Sequence, residues 1–298
     1  MTAPRGSPPM YFPGAPFALA DAVNCAVLVG VAYDQCSQWI SQGYPSKANF
    51  VWTPQGRTIP YTYSAPLFWS YTWLNTQYDE PFGFVAQAAN GDTILALRGT
   101  VTDADDVQDA RVDQTAYMLV PGYGHVHAGF YEIYNALSSQ TLAILAGLVT
   151  VDRLFFTGHS LGSGLSSLAV PDVITHTALK PIPSRPLLHY NYASPRVGDP
   201  QFAWAMNHNA VPTFRIVNTE DIIPDVPPSV IGTTLYKHIG IPVDFTAQYG
   251  SYDLNHSLVT AYDYALTNPT DPEGPLPTHL LTVLSVLASA LRTRRFSP

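Results

Sequence analysis

The chain has 298 residues, 46% of them hydrophobic and only 12% charged, with a formal net charge of −8 at pH 7. That size and apolar share suffice for one large α/β domain, while the acidic balance, with no basic patch before the last few residues, argues against a nucleic-acid partner. Two cysteines are too few for a disulfide framework, and no apolar stretch reaches the length that crosses a bilayer.

Residues 1–17 carry Pro4, Pro8, Pro9, Pro13 and Pro16 and predict an irregular arm. They do not form a signal peptide, so a secreted mature chain and a cytoplasmic one are both compatible with the pattern. From Ala18 to about Ser41, apolar residues Leu19, Val23, Ala26, Val27, Gly30 and Val31 recur at helical spacing. On that helix Cys25 and Cys36 would lie roughly 16 Å apart, too far to bridge, and are expected to be free thiols. Tyr44 to Tyr78 predicts loops with short strands. Phe82 to Ala88 and Thr93 to Arg98 then read as two strands around Asn90-Gly91, a strong hairpin signal.

An acidic segment follows Thr100, with Asp103, Asp105, Asp106, Asp109 and Asp113. It lacks the glycine and the closing glutamate of a calcium loop. Val101, Ala104, Val107 and Ala110 recur every three residues and predict a short surface helix instead. After Val126-His127-Ala128-Gly129-Phe130, a helical pattern runs to about Val149.

Arg153 to Thr157 forms an apolar strand that feeds Gly158-His159-Ser160-Leu161-Gly162, and small residues then continue at helical spacing. This is the strand, sharp turn and helix of a G-x-S-x-G nucleophile elbow. A turn that pushes a serine oxygen out of a sheet brings the residues two positions either side together, which leaves no room for side chains on Gly158 and Gly162. Pro171 to Pro186 predicts a proline-rich connection. Strands are expected at Leu187 to Ala193 and Thr213 to Asn218, a helix from Pro200 to about Asn209, and one or two short strands within Tyr236 to Phe245. A helix is expected to begin at His256 and run to about Thr267. The alternation points to an α/β fold, parallel in the middle of its sheet, with an antiparallel hairpin near the front.

A serine needs a base to take its proton, and the base needs an acid to orient it and stabilise its cation. In chain order the acid should follow a strand and precede the histidine. Asp221 fits, with Glu220 and Asp225 as rivals. His256 follows a polar loop; His238, inside a strand-like run, and His279, near the C-terminus, are the other candidates.

The chain resembles the class 3, fungal-type triacylglycerol lipase family over about residues 80 to 267. The resemblance rests on blocks in a fixed order: Leu97 to Thr100, Val126 to Phe130, Gly158 to Gly162, Ser194 to Asp199, Arg215 to Pro228, Tyr236 to Gly240, and His256-Ser257-Leu258 before Tyr262. It implies an α/β-hydrolase fold, Ser160, Asp221 and His256 as the catalytic triad, and Thr100 with Leu161 as the oxyanion hole. It leaves His238 in a structural strand, and His127 and His159 as structural. It implies an ester hydrolase acting on lipids, with no cofactor and no metal. A soluble carboxylesterase or feruloyl-type esterase on the same triad is the alternative within the enzyme class, and a catalytically dead lipid-binding scaffold the alternative outside it.

The segment after Thr100 resembles the family's lid but carries Asp106-Val107 where many members place an acidic residue and a tryptophan, so weak interfacial activation is expected. Two cysteines look more like a bacterial-type member than a disulfide-bonded fungal one. The expected organisation is an arm at 1–17, a lipase domain at 18–267, and a Pro-rich connection with an apolar C-terminal helix at 268–298. That helix is followed by Arg292, Arg294 and Arg295 and could pack on its own domain or lie against a membrane or oil–water interface. No pattern specifies an oligomer.

Overall fold

The computed structural model describes residues 7–14, 16–54, 60–73, 76–100 and 112–275. The acidic segment 101–111 and the C-terminal helix beyond 275, with His279, lie outside the described residues.

Helix α1 (Leu19–Ser41) lies on one face of the main sheet, as its apolar spacing predicts. Strands β1 (Tyr61–Tyr63), β2 (Leu67–Trp73), β3 (Thr76–Ala88) and β4 (Asp92–Leu97) form the antiparallel front, with Asn90-Gly91 turning β3 into β4 and Gly91 at φ 85°. Strands β2 and β3 are longer than the sequence suggests. The polar stretch Gln77 to Glu80 and Pro81 hide the alternation, yet Tyr71 pairs with Tyr78 and Trp69 with Glu80 along a continuous ladder.

Strands β5 (Gln114–Ala116) and β6 (His125–His127) make a small separate ladder before helix α2 (Ala128–Ala146). Strand β7 (Arg153–His159) is followed by helix α3 (Leu161–His176), β8 (Leu187–Tyr192) by α4 (Pro200–Asn207), and then comes β9 (Thr213–Asn218). Helix α3 runs through Pro171 rather than stopping there. Every residue from Leu161 to Val173 is buried, so packing on all sides holds a helix that one missing N–H would otherwise weaken. The ladder β10 (Val230–Ile231) with β11 (Thr234–Leu235) precedes the last sheet strand, β12 (Ile241–Phe245). His238 therefore lies before β12, in no strand, which corrects the expectation for it.

In the main sheet the order is β1-β3-β4-β7-β8-β9-β12, with β2 also on β3; β4, β7, β8, β9 and β12 run parallel. One core lies between the sheet and α1 together with the C-terminal helices, and centres on Phe84, Tyr190, Phe214 and Tyr262. The other lies under α2, α3 and α4, around Phe156, Leu165 and Phe202. Apolar residues on both faces are what a central parallel sheet requires. Cys25 and Cys36 are buried free thiols. The segment 7–14 has no regular structure but is held down: Met10 is buried and its N–H donates to the Pro269 carbonyl at 2.8 Å. No helix among the described residues is long and apolar enough to cross a membrane.

Candidate active site

Ser160 stands between β7 and α3 with φ 57° and ψ −127°. A side chain rarely adopts that left-handed conformation, and its presence marks stored strain at the turn. The turn is closed by close backbone approach. A Cβ on Gly158 would lie 2.1 Å from the Gly162 carbonyl oxygen, and one on Gly162 would lie 2.3 Å from the Leu97 carbonyl oxygen. The two glycines are thus required as the spacing argues.

Ser160 Oγ is buried and makes no hydrogen bond. Behind it, the Ser163 hydroxyl donates to the Ser160 carbonyl at 2.6 Å. Ser160 caps α3, so the Leu161 N–H belongs to the first turn, whose N–H groups have no partner within the helix. Gly99 lies directly against the elbow: a Cβ there would be 2.8 Å from both Ser160 Cβ and the His159 carbonyl oxygen. Half-buried Thr100 follows it. The Gly99 turn is fixed from the other side by fully buried Arg98, whose guanidinium donates to the carbonyls of Gly99 at 2.6 Å and Pro81 at 2.9 Å and pairs with Glu80.

Asp221 follows β9, and His256 is the last residue of helix α5 (Tyr252–His256), not the first of a longer one. Ser251 starts that helix by accepting the Leu254 N–H at 3.2 Å. Ser257 then breaks the chain direction before a π-helix at Leu258–Asp263 and helix α6 at Tyr264–Thr267.

The two groups meet. His256 Nδ1 and Asp221 Oδ2 are 2.8 Å apart, with the carboxylate fully buried. An ionised carboxylate can only accept, so Nδ1 carries the proton and Nε2 keeps a lone pair. Asp221 also accepts from the Tyr262 hydroxyl at 2.7 Å and from the Ile223 N–H at 2.9 Å. Its rivals stand elsewhere: the Asp225 side chain is 84% exposed beside Arg196, and Glu220 accepts from Gln248 at 2.7 Å.

His159 ties the elbow to this pair. Its ring lies 4.6 Å from the His256 ring and 5.7 Å from that of Tyr262. The residue before Ser160 thus touches His256, and the serine hydroxyl makes no bond to the imidazole. Burial first, then the nearby His256, holds His159 well below the usual histidine range, so it is neutral. Composition and motif spacing gave no sign of the supporting groups Asn255 and Tyr33. Asn218 and Tyr262 fall within sequence blocks noted above, without a role assigned to them there.

The sequence profile of the lipase (class 3) family matches residues 94–231. A lipase of Rhizopus niveus is 28% identical over 195 residues, covering 64% of this chain and 45% of that protein. Phospholipase A1-II 3 of Oryza sativa subsp. japonica is 31% identical over 188 residues, covering 53% of this chain and 43% of that one. The chain therefore spans less than half the length of these curated relatives. Among solved structures, the triacylglyceride lipase of Rhizomucor miehei superposes with a TM-score of 0.56 at 21% identity, over 76% of this chain and 79% of that one. That likeness shows a shared α/β-hydrolase fold.

Proposed function

Residues 94–231 belong to the class 3 lipase family, and from that premise we propose that the protein hydrolyses carboxylic esters of lipids, triacylglycerols foremost, through an acyl-enzyme on Ser160. The observation that carries this reading is the strained serine at φ 57° together with a 2.8 Å His256–Asp221 hydrogen bond on a buried carboxylate.

In the first half-reaction Ser160 Oγ attacks the ester carbonyl carbon and its proton passes to His256 Nε2. Asp221 holds the ring in the required tautomer and stabilises the imidazolium. In this reading the oxyanion is held by the Leu161 N–H and by Thr100, and the closed elbow and the Arg98 bond to the neighbouring Gly99 carbonyl support donors that need little reorganisation. The imidazolium then gives its proton to the departing alcohol, and water repeats the sequence to release the acid. The names of the relatives support glycerol esters as the substrate class: a lipase and a phospholipase A1.

Ser160→Ala is expected to lower kcat by about 10⁴ to 10⁶ in a protein that keeps its circular dichroism spectrum, and an organophosphonate should label Ser160 alone. Turnover retained in the pure folded variant removes the serine from the mechanism. A profile over nitrophenyl esters of rising chain length, a triacylglycerol, a phosphatidylcholine and a feruloyl ester reads the substrate. Preference for the feruloyl ester would replace the lipase reading by the esterase one.

A further inference from the structure

One hydrogen-bonded chain joins the Gly99 turn, the serine elbow and the base, and the proton transfers above do not use it. The Gly99 N–H donates to Tyr33 Oη at 3.0 Å, Tyr33 Oη lies 2.8 Å from His159 Nδ1, and His159 Nε2 lies 2.8 Å from the His256 carbonyl oxygen. Its direction follows from the ends. A carbonyl can only accept, so Nε2 carries the proton of the neutral ring; Nδ1 must then accept from the Tyr33 hydroxyl, whose oxygen accepts from Gly99. Every group is used, and none can be reversed.

We propose that Tyr33 and His159 act as positioning residues, a strut that sets the distance between the Thr100 turn and the main chain of His256. The proposal rests on the reading of Ser160 and His256 given above.

Three observations favour a strut over a packed core histidine. First, an imidazole in a fully buried place is costly compared with an apolar ring of the same size unless both nitrogens are satisfied, and here both are. Second, the chain joins helix α1 to segments 66 and 126 residues away and then spans a further 97 to His256, so it fixes relations that no local structure fixes. Third, Ser160 Oγ makes no bond to the imidazole, so the link from His159 to the His256 carbonyl ties the elbow to the base directly, in addition to the hold Asp221 has on the ring. The neutrality of His159 agrees with this arrangement, because a cation 4.6 Å from the His256 ring would oppose formation of the imidazolium.

A strut moves kcat rather than substrate binding, since it acts on the placement of reacting groups. Tyr33→Phe keeps the ring and deletes the bridging oxygen. On a soluble short-chain ester its kcat is expected to fall about 10- to 100-fold with KM changed less than about twofold and the native spectrum kept. At position 159, Gln retains an N–H that reaches toward the His256 carbonyl, whereas Phe fills the same space without a donor. His159→Gln should therefore keep more kcat than His159→Phe. Equal activity of the two, or wild-type kcat in Tyr33→Phe, overturns the strut.

Nitrogen NMR of the wild-type protein supplies a readout independent of turnover. The His159 signal, assigned by its loss in His159→Gln, should be neutral with Nε2 protonated; the opposite tautomer overturns the proposal. Ser160→Ala, run alongside, separates the two readings. If it stays active, the hydrolase assignment falls while the tautomer still judges the strut. If it is inert and Tyr33→Phe is fully active, the strut alone falls.

Discussion

The Asn255 side-chain amide donates to the Glu220 carbonyl at 2.9 Å, so the residue before His256 is fastened to the residue before Asp221. Asn218, at the end of β9, completes the fastening by donating to the carbonyls of Asn255 at 3.0 Å and Ala247 at 2.9 Å. The 2.8 Å His256–Asp221 hydrogen bond is thus positioned by two buried amides that belong to neither side chain. Asn255→Ala leaves the Glu220 carbonyl and the Tyr249 N–H without this partner, and the expected loss of stability is about 1–3 kcal/mol. The kcat should fall about 10-fold or more, with Ser160 still labelled by a phosphonate at a reduced rate. Urea titration and inactivation kinetics check both parts; unchanged labelling would show that the amide plays no part in placing the base.

Tyr262 donates to the same Asp221 oxygen that accepts from His256. Removing this donor leaves the carboxylate oxygen more negative toward the ring, which favours the imidazolium. In Tyr262→Phe the acid limb of the kcat/KM profile is therefore expected to move to higher pH, by about half a unit to one unit. A limb that stays put or moves down contradicts the assignment of that limb to the His256–Asp221 pair.

Gly158→Ala places a methyl group where the Gly162 carbonyl oxygen would be 2.1 Å away. Both atoms belong to the backbone of the elbow, so the turn must open rather than a side chain step aside. The expected destabilisation is about 3 kcal/mol or more, read as a lower urea midpoint. Wild-type stability would mean that the turn is looser than its geometry indicates.

The buried His159 and His189 and the partly buried His238 make stability depend on pH. His189 is fully buried between the Ser166 and Thr213 hydroxyls, and burial pushes it down to about 3; His238 is likewise held to about 3, and His159 well below its usual range. Below about pH 6.5 the unfolded chain takes up protons at these positions and the folded chain does not, so stability falls as pH falls. The slope from pH 6.5 to 5 should be on the order of 1 kcal/mol per pH unit for each such group, and His189→Asn should flatten it. A stability that is flat across this window would contradict neutral burial.

The site was legible in the sequence where short-range geometry dictates residue type. The tight turn demands Gly158 and Gly162, the hairpin demands Asn90-Gly91, and both stand where the pattern places them. Long-range fastening was not legible, because Tyr33 and Asn255 are ordinary residues until folding brings them to His159 and Glu220, and the block that contains Asn218 does not show its reach to Ala247 and Asn255. The helix boundary at His256 was misread for another reason. Leu258, Ala261, Tyr262 and Ala265 continue an apolar helical period past the histidine, and only the extended backbone of Ser257, at φ −64° and ψ 122°, separates the two segments. The β2–β3 extension was hidden because edge strands tolerate proline and charge, which blur alternation.

The His256–Asp221 bond spans 35 residues, and its two ends are carried by β9 and by a helix that follows β12, at the far margin of the sheet from the antiparallel front. Contacts of this kind are closed only after the intervening strands have found their places, which makes them slow to form. In refolding, far-ultraviolet circular dichroism should return before the ability to consume ester does. A chain caught midway would own Ser160, Asp221 and His256 and still lack the arrangement that joins the last two, so long-range closure sets when the pair exists at all.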